Sequence, residues 1–437
     1  MPADQDMVEP LLPRPEESSD NNDLLENPGC VKATTVIIIV LFVCGIVALG
    51  LSAIVWNFYD RFDHGKDHTT TTTPSPPECE KRIVGYYTDH ESKDITKSQL
   101  EKLTHVVFAY IQMDSNGILN FKNNKTEQRF LSLKRKAKGV KSSVKVMISI
   151  GGQENSDYFS AVVTDSNKQK TFIDSIISFI KDQQIDGVDV FWKWPTESDK
   201  FKYAAFLKEL HESFKNQYVL SVVAPAAGIS HWETGFDLDE IIEYVDFINV
   251  YSMDYYGPWD NQYGTPTGPT APLYSGVGER KKFNVDSTMQ YYVCETKQQK
   301  KFNIVIPFYA RLWKNVNDAV ESGKEIFRNV QLKDDKAEGN PYMSRWTVEH
   351  EGWNLTPESW DQETKSAFIY KHDNKTYLTF ETERSLNAKM DFVKEMNLGG
   401  IWIWSIDMDD GRNSLLGNIT MNRMCSNSNE NEIKFSC

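Results

Sequence analysis

Basic residues are in deficit in this chain: 48 Lys and Arg face 62 Asp and Glu, for a formal net charge of −14 over 437 residues. No stripe of clustered Lys and Arg interrupts that deficit. Sequence-independent binding to a phosphate backbone needs such a stripe, so no nucleic acid is expected as a partner. Cysteine is sparse as well, at 6 residues, and no Cys and His cluster has the spacing of a zinc site. No metal or organic cofactor is implied. What is present is ordinary for a packed protein: 40% hydrophobic and 12% aromatic residues are enough to build a real core, with disorder confined to the ends.

One apolar run stands apart. Ala33 to Trp56 carries no charge and is long enough to cross a hydrocarbon core of about 30 Å. It follows an acidic, disordered tail over residues 1–32 rather than a short basic start, so it reads as a retained signal anchor and not as a cleaved signal peptide. Flanking charge does not orient it, because Arg14 and Lys32 on one side balance Arg61 and Lys66 on the other. Orientation comes from what lies beyond. Glycosylation sequons occur at Asn124, Asn354, Asn374 and Asn418, none precedes the span, and Thr69 to Pro77 resembles an O-glycosylated stalk within a linker over 57–78. A single-pass type II topology follows, with the C-terminal part extracellular or lumenal. In the cytoplasmic tail, Asp20 to Leu25 (DNNDLL) resembles an acidic dileucine signal for endosomal or lysosomal sorting, although adjacent leucines are common in such tails. Cys30 and Cys44 belong to the anchor region. Cys79, Cys294, Cys425 and Cys437 lie beyond it and allow three pairings, between which the sequence does not choose; Cys79 and the two C-terminal cysteines are placed to tie the chain ends together.

After the stalk, short apolar runs alternate with amphipathic stretches, the pattern of βα units closing a parallel sheet. Eight runs are countable: Arg82–Tyr87, His105–Ile111, Lys145–Ile150, Gly187–Trp192, Tyr218–Ala224, Phe247–Ser252, Asn303–Tyr309 and Gly400–Ser405. Eight predict an α/β fold of the (β/α)8, or TIM, barrel type. Helical periodicity fills Gln169 to Lys181 and Phe201 to Phe214. The gap between the seventh and eighth runs is too long for one helix. Residues 314–383 are therefore assigned to a small α+β insertion, with a hairpin over Phe368 to Phe380, and a closing helix spans Ser385 to Met396. The barrel is expected over 79–424 and a C-terminal tail over 425–437.

Ile185 to Pro195 (IDGVDVFWKWP) and Ser149 to Gly152 (SIGG) together resemble the signature of glycoside hydrolase family 18, the chitinases. LTHVVFAY from Leu103, IPFYAR from Ile306 and WSIDMDD from Trp404 extend the resemblance over nearly all of the chain beyond the stalk. It is similar in particular to chitinase-like proteins of nematodes, which combine a short tail and anchor with a degenerate barrel. Active members end the fourth strand as Asp-Gly-x-Asp-x-Asp-x-Glu. Here those slots hold Asp186, Gly187, Asp189, Phe191 and Lys193. Strand alternation points Asp189, Phe191 and Lys193 into the barrel mouth, where sites of this fold lie.

The chemistry implied by the resemblance is substrate-assisted: the substrate's N-acetyl oxygen attacks the anomeric carbon, a glutamic acid protonates the leaving oxygen, and a neighbouring carboxylate stabilises the cyclic cation. Lys193 in the acid's place, with an ordinary pKa of about 10.4, is a poor proton donor and adds positive charge where positive charge develops. Phe191 removes the stabilising carboxylate. Losing a general acid slows such a reaction on the order of 100- to 10,000-fold, and losing the electrostatic stabilisation roughly a further 100- to 1,000-fold. The family's Met-x-Tyr-Asp at the end of strand six reads Tyr251, Ser252, Met253 and Asp254, so methionine replaces the tyrosine that would hold the N-acetyl group. Lys193 is expected to pair with Asp254 or Asp189, since an unpaired ammonium in a barrel mouth is costly.

Trp404 matches the tryptophan on which family members stack the sugar, though Trp402 shares its strand face and an aromatic core stack competes with that role. Tyr86, Phe108 and Arg311 match interior or groove positions, with core packing or a structural ion pair as alternatives. Asp186 and Gly187 fit a role in the turn into the strand, where glycine's backbone freedom counts. The expected function is that of a catalytically inactive chitinase-like membrane glycoprotein, with no catalytic residue, that binds chitin or other N-acetylglucosamine glycans or presents a surface to an unknown protein partner. The alternative is an active hydrolase with a relocated acid at Glu197 or Glu233.

Overall fold

The computed structural model describes residues 79–141, 143–356, 358–425 and 433–437. The tail, dileucine, anchor and stalk lie outside them. Among the described residues no helix is long and apolar enough to cross a membrane.

Eight strands close a parallel barrel: β1 (Arg82–Thr88), β2 (His105–Met113), β3 (Lys145–Gly151), β4 (Gly187–Phe191), β5 (Val219–Ala224), β6 (Phe247–Val250), β7 (Phe302–Pro307) and β8 (Gly400–Trp404). Each pairs with its sequence neighbour, and β1 pairs with both β8 and β2, so the barrel has no free edge. The strands are buried almost throughout, as a parallel sheet covered by helices requires, and this is why they read as continuous apolar runs. The eight expected runs match these strands to within two residues at their ends.

The covering helices carry their stop signals in the sequence. Asp165 caps the helix Ser166–Gln183 by accepting from the backbone N–H groups of Asn167 and Lys168, and Gln184 ends it in the left-handed region. Phe172, Ile176 and Ile180, four residues apart, face the sheet. Phe172 stacks at 5.1 Å on Phe206 of the next helix, Lys200–Phe214. Burying each such side chain stabilises the fold by roughly 1.5–3 kcal/mol.

Asp186 and Gly187 set the start of β4. The Asp186 carboxylate accepts from Val146 N at 2.7 Å, and Asp246 does the same to Leu220 N at 2.8 Å two strands on. Gly187 is needed for another reason than the one expected from sequence: its φ is not positive, but a Cβ there would lie 2.2 Å from the Val219 carbonyl oxygen. The requirement is close approach of two strands, not backbone freedom.

The insertion is an antiparallel five-stranded sheet in the order Gly339–Ser344, Tyr309–Trp313, Thr376–Phe380, Ser366–Lys371 and Ser359–Asp361. It begins at Tyr309 rather than 314, because the chain leaves β7 and enters the first insertion strand after a single residue. The expected hairpin is Ser366–Lys371 paired with Thr376–Phe380, with Asn374 in its exposed turn. Cys79 pairs with Cys425 and Cys294 with Cys437, at Cα separations of 5.7 and 5.4 Å. The C-terminal residues are thus tied to the barrel, and Phe435 packs against Phe392 at 6.2 Å.

Candidate active site

Three inward residues of the β4 stretch occupy three different environments. Asp189 lies fully buried inside the barrel, accepting from the Tyr86 hydroxyl and Ser149 Oγ at 2.8 Å and from Ser221 Oγ at 2.7 Å. Burial holds its carboxyl above the usual range, only partly offset by these donors. The network continues downward: Asn249 donates to the Tyr86 hydroxyl at 3.1 Å, Asn303 to Asn249 at 2.9 Å, and Arg82 to Asn303 at 3.0 Å. Tyr86 is thus fully buried and serves as a strut of this column.

Above the column sits the Phe191 ring, buried and within 5.8–6.4 Å, ring centre to ring centre, of Trp194, Tyr110, Tyr251 and Trp404. Lys193, beyond the strand end and half-buried, has its Nζ 3.5 Å from the Tyr251 hydroxyl and 4.6 Å from the centre of that ring. The expected pairing of Lys193 with Asp254 or Asp189 does not form: among the described residues no ion pair includes Lys193. Asp189 is sealed beneath Phe191, and Asp254 is taken by others. Arg311, buried, forms an ion pair with Asp254, while the hydroxyls of Tyr251 (2.6 Å) and Tyr309 also donate to it. Arg311 donates further to the Pro341 carbonyl at 2.8 Å and lies 4.2 Å over the Trp259 ring. It is a structural ion-pair partner, one of the two roles open to it from sequence.

The electrostatics follow from this arrangement. Burial alone would raise the Asp254 carboxyl, but Arg311, Tyr251 and Tyr309 outweigh it and hold it below the usual carboxylate range. Burial pulls the Lys193 ammonium below the ordinary lysine range; Asp254 opposes this at a distance and Arg311 reinforces it. Met253 is buried, its sulfur 3.4 Å from the Tyr309 hydroxyl whose proton goes to Asp254.

Trp404 is 8% exposed. Its indole N–H donates to the Tyr342 hydroxyl at 2.7 Å, and its ring is packed among Tyr86, Tyr110 and Phe191. Trp402 is wholly buried and donates to the Val250 carbonyl at 2.9 Å, so it belongs to the core. Phe108 packs edge-on against Tyr87 and Phe130, also in the core.

The open space at the barrel mouth lies to one side of Trp404, which does not line it. This cleft, of about 1120 Å³, is bordered by Lys193, Trp194, Trp232, Trp259, Tyr263 and Arg280 among others. Reading by sequence singled out none of the last five. Their loops follow β4, β5 and β6, which in this fold supply the rim, and that position was the signal available. Of the relocated-acid candidates, Glu197 is exposed and borders the cleft. Glu233 is buried, accepting from Gly228 N at 3.1 Å, and does not border it. A second cavity, of about 760 Å³, is lined by both Asn354 and Asn418 and lies away from the barrel mouth. Asn124, Asn354 and Asn374 are exposed; Asn418 is half-buried, and its amide donates to the Ser414 carbonyl at 2.9 Å.

A closed eight-stranded parallel barrel carrying an α+β insertion after its seventh strand, with a polar column through its interior and a cleft at its C-terminal mouth, is an architecture used by barrel glycosidases. The model of glycosyl hydrolases family 18 matches residues 82–409, and the chain belongs to that family. It is 25% identical to a probable chitinase 10 of Drosophila melanogaster over 71% of this chain and 14% of that protein. It is likewise 25% identical to a probable endochitinase of Caenorhabditis elegans over 75% of this chain and 53% of that one. The chain thus spans about half or less of the length of these two relatives. An immunomodulatory active chitinase from Trichuris suis superposes with a TM-score of 0.65 at 21% identity, over 76% of this chain and 93% of that one, which shows the shared fold.

Proposed function

We propose that this chain is a non-catalytic, chitinase-like membrane glycoprotein whose cleft binds saccharide without cleaving it. The observation that carries the reading is the β4 exit, which presents Phe191 and Lys193 where the reaction needs two carboxyl groups. The other two carboxylates of the motifs are engaged elsewhere, Asp189 under Phe191 and Asp254 by Arg311. The aromatic borders of the cleft support saccharide binding, since ring faces suit the apolar faces of pyranoses. The covered Trp404 supports a binding path shifted from the sugar platform that the family resemblance implies. Relatives carry chitinase names, and N-acetylglucosamine chains are accordingly the first ligands to try. Residues 33–56 anchor the chain in type II orientation, the four sequons carry glycans, and the tail directs endosomal or lysosomal sorting; these assignments rest on sequence alone.

Titration of the full-length chain with N-acetylglucosamine oligomers tests the reading. Saturable binding with the oligomer recovered intact is expected. Absence of binding would leave the barrel as a surface for a protein partner. The second reading, an active hydrolase, is favoured by one feature, the exposed Glu197 at the cleft border.

A further inference from the structure

The cleft is charged in a way that a neutral sugar chain leaves unused. Lys193 borders it, its ammonium 3.5 Å from the Tyr251 hydroxyl and 4.6 and 5.9 Å from the ring centres of Tyr251 and Trp194. Arg280 borders it too, donating among the described residues to the backbone carbonyls of Gln262 and Tyr263, at 2.9 and 3.5 Å. Among the described residues no ion pair includes either cation. The carboxylates at the cleft do not redress this. Asp254 is consumed by Arg311, Asp260 is paired with Lys336 at 3.3 Å, and Glu197 stands exposed at the border. Two cations thus face the cleft with one free carboxylate at its edge. Lys193 feels Asp254 only through the intervening Tyr251 hydroxyl, and a partly desolvated ammonium without a direct ion pair is an arrangement that an incoming anion would relieve.

We propose that the cleft selects an acidic oligosaccharide, a chain of pyranose rings bearing carboxylate or sulfate groups, with one anion seated on Lys193 and the rings lying along Trp194, Trp232 and Trp259. Trp194 and Trp232 are 6.0 Å apart with their planes inclined by 31°, and Trp232 is exposed, so they offer two neighbouring faces to successive rings. A charge-assisted bond from Lys193 fixes the register along those faces, and Arg280 stands ready for a second anion. The inference rests on the saccharide-binding reading above and specifies its ligand.

The test uses the full-length chain and three hexasaccharides with one backbone: the N-acetylglucosamine hexamer, its C6-oxidised form bearing carboxylates, and its 6-O-sulfated form. Calorimetric titration is expected to show one or both acidic forms binding at least about tenfold more tightly than the neutral hexamer, the better one identifying the anion. Lys193→Gln should bring the ratio close to one, Lys193→Arg should keep most of it, and Arg280→Gln should reduce it in part. Equal affinity for neutral and acidic forms overturns the charge preference while leaving saccharide binding intact. Failure of all three to bind overturns both, and a preference that survives Lys193→Gln overturns the assignment to that residue.

Discussion

The pairing of Arg311 with Asp254 sets the character of the barrel mouth, and a double-mutant cycle measures it. The Arg311 side chain is 2% exposed and the Asp254 side chain 24%, so the pair is largely withdrawn from water. Removing one partner of a buried pair typically costs about 3–5 kcal/mol, because the other charge is left uncompensated. The exposed quarter of Asp254 puts the expectation at the lower end. Asp254 has φ 61°, a left-handed conformation that Asn tolerates and Ala does not, so Asp254→Asn removes the charge without adding backbone strain. It also leaves a carbonyl to accept from one of the two tyrosines. We expect Asp254→Asn to lose about 2–3 kcal/mol and Arg311→Met about 3 kcal/mol, the latter also giving up the bond to Pro341 and the contact with Trp259. The double variant should fall short of the sum by about 2 kcal/mol, read as midpoint shifts in urea at constant slope. Losses that add to within about 0.5 kcal/mol would show that the two charges do not depend on each other, and Asp254 would then be free for chemistry or for Lys193.

Further outcomes are expected. Phe191→Asp, Lys193→Glu and Met253→Tyr together should give a trace of reducing-sugar release from a chitin oligomer, whereas Lys193→Glu alone should give none, since the stabilising carboxylate would still be missing. Tyr342→Ala should free the Trp404 indole N–H for a ligand oxygen and tighten the N-acetylglucosamine hexamer by at least about threefold in a fluorescence titration. Gly187→Ala should destabilise the barrel by about 2 kcal/mol or more in thermal melts, as strand β5 must shift to admit a methyl group. Burial raises the Asp409 carboxyl from 3.8 to about 6, against opposition from three backbone donors. Because the folded value is the higher one, its contribution is fully present below pH 3.8 and is lost as the pH rises through 6. Stability should therefore fall mainly between about pH 4 and pH 6, by no more than about 3 kcal/mol in all, and Asp409→Asn should flatten that slope.

The barrel was legible because eight buried parallel strands leave continuous apolar runs, and the helix limits were legible where a cap such as Asp165 stands in the sequence. The insertion's first strand was not, since Phe308 to Ala310 continues the apolar run and nothing local marks where one sheet yields to the other. That Lys193 stands in the slot of the family's acid followed from the resemblance, and strand alternation gave only the direction it faces; its partner could not be read at all. The competitor for Asp254 lies 57 residues downstream and combines a planar guanidinium with full burial. The hydrogen bond that holds the Trp404 indole depends likewise on Tyr342, 62 residues away on an insertion strand. Which partners meet across a barrel mouth is fixed by loop paths that short-range patterns do not encode.

The most direct test is turnover. The full-length chain, incubated with the N-acetylglucosamine hexamer at pH 5 and pH 7 and followed by chromatography of the products, should return the hexamer uncut at the limit of detection. Shorter oligomers appearing at a rate proportional to protein, and lost on Glu197→Gln or Glu233→Gln, would contradict the account.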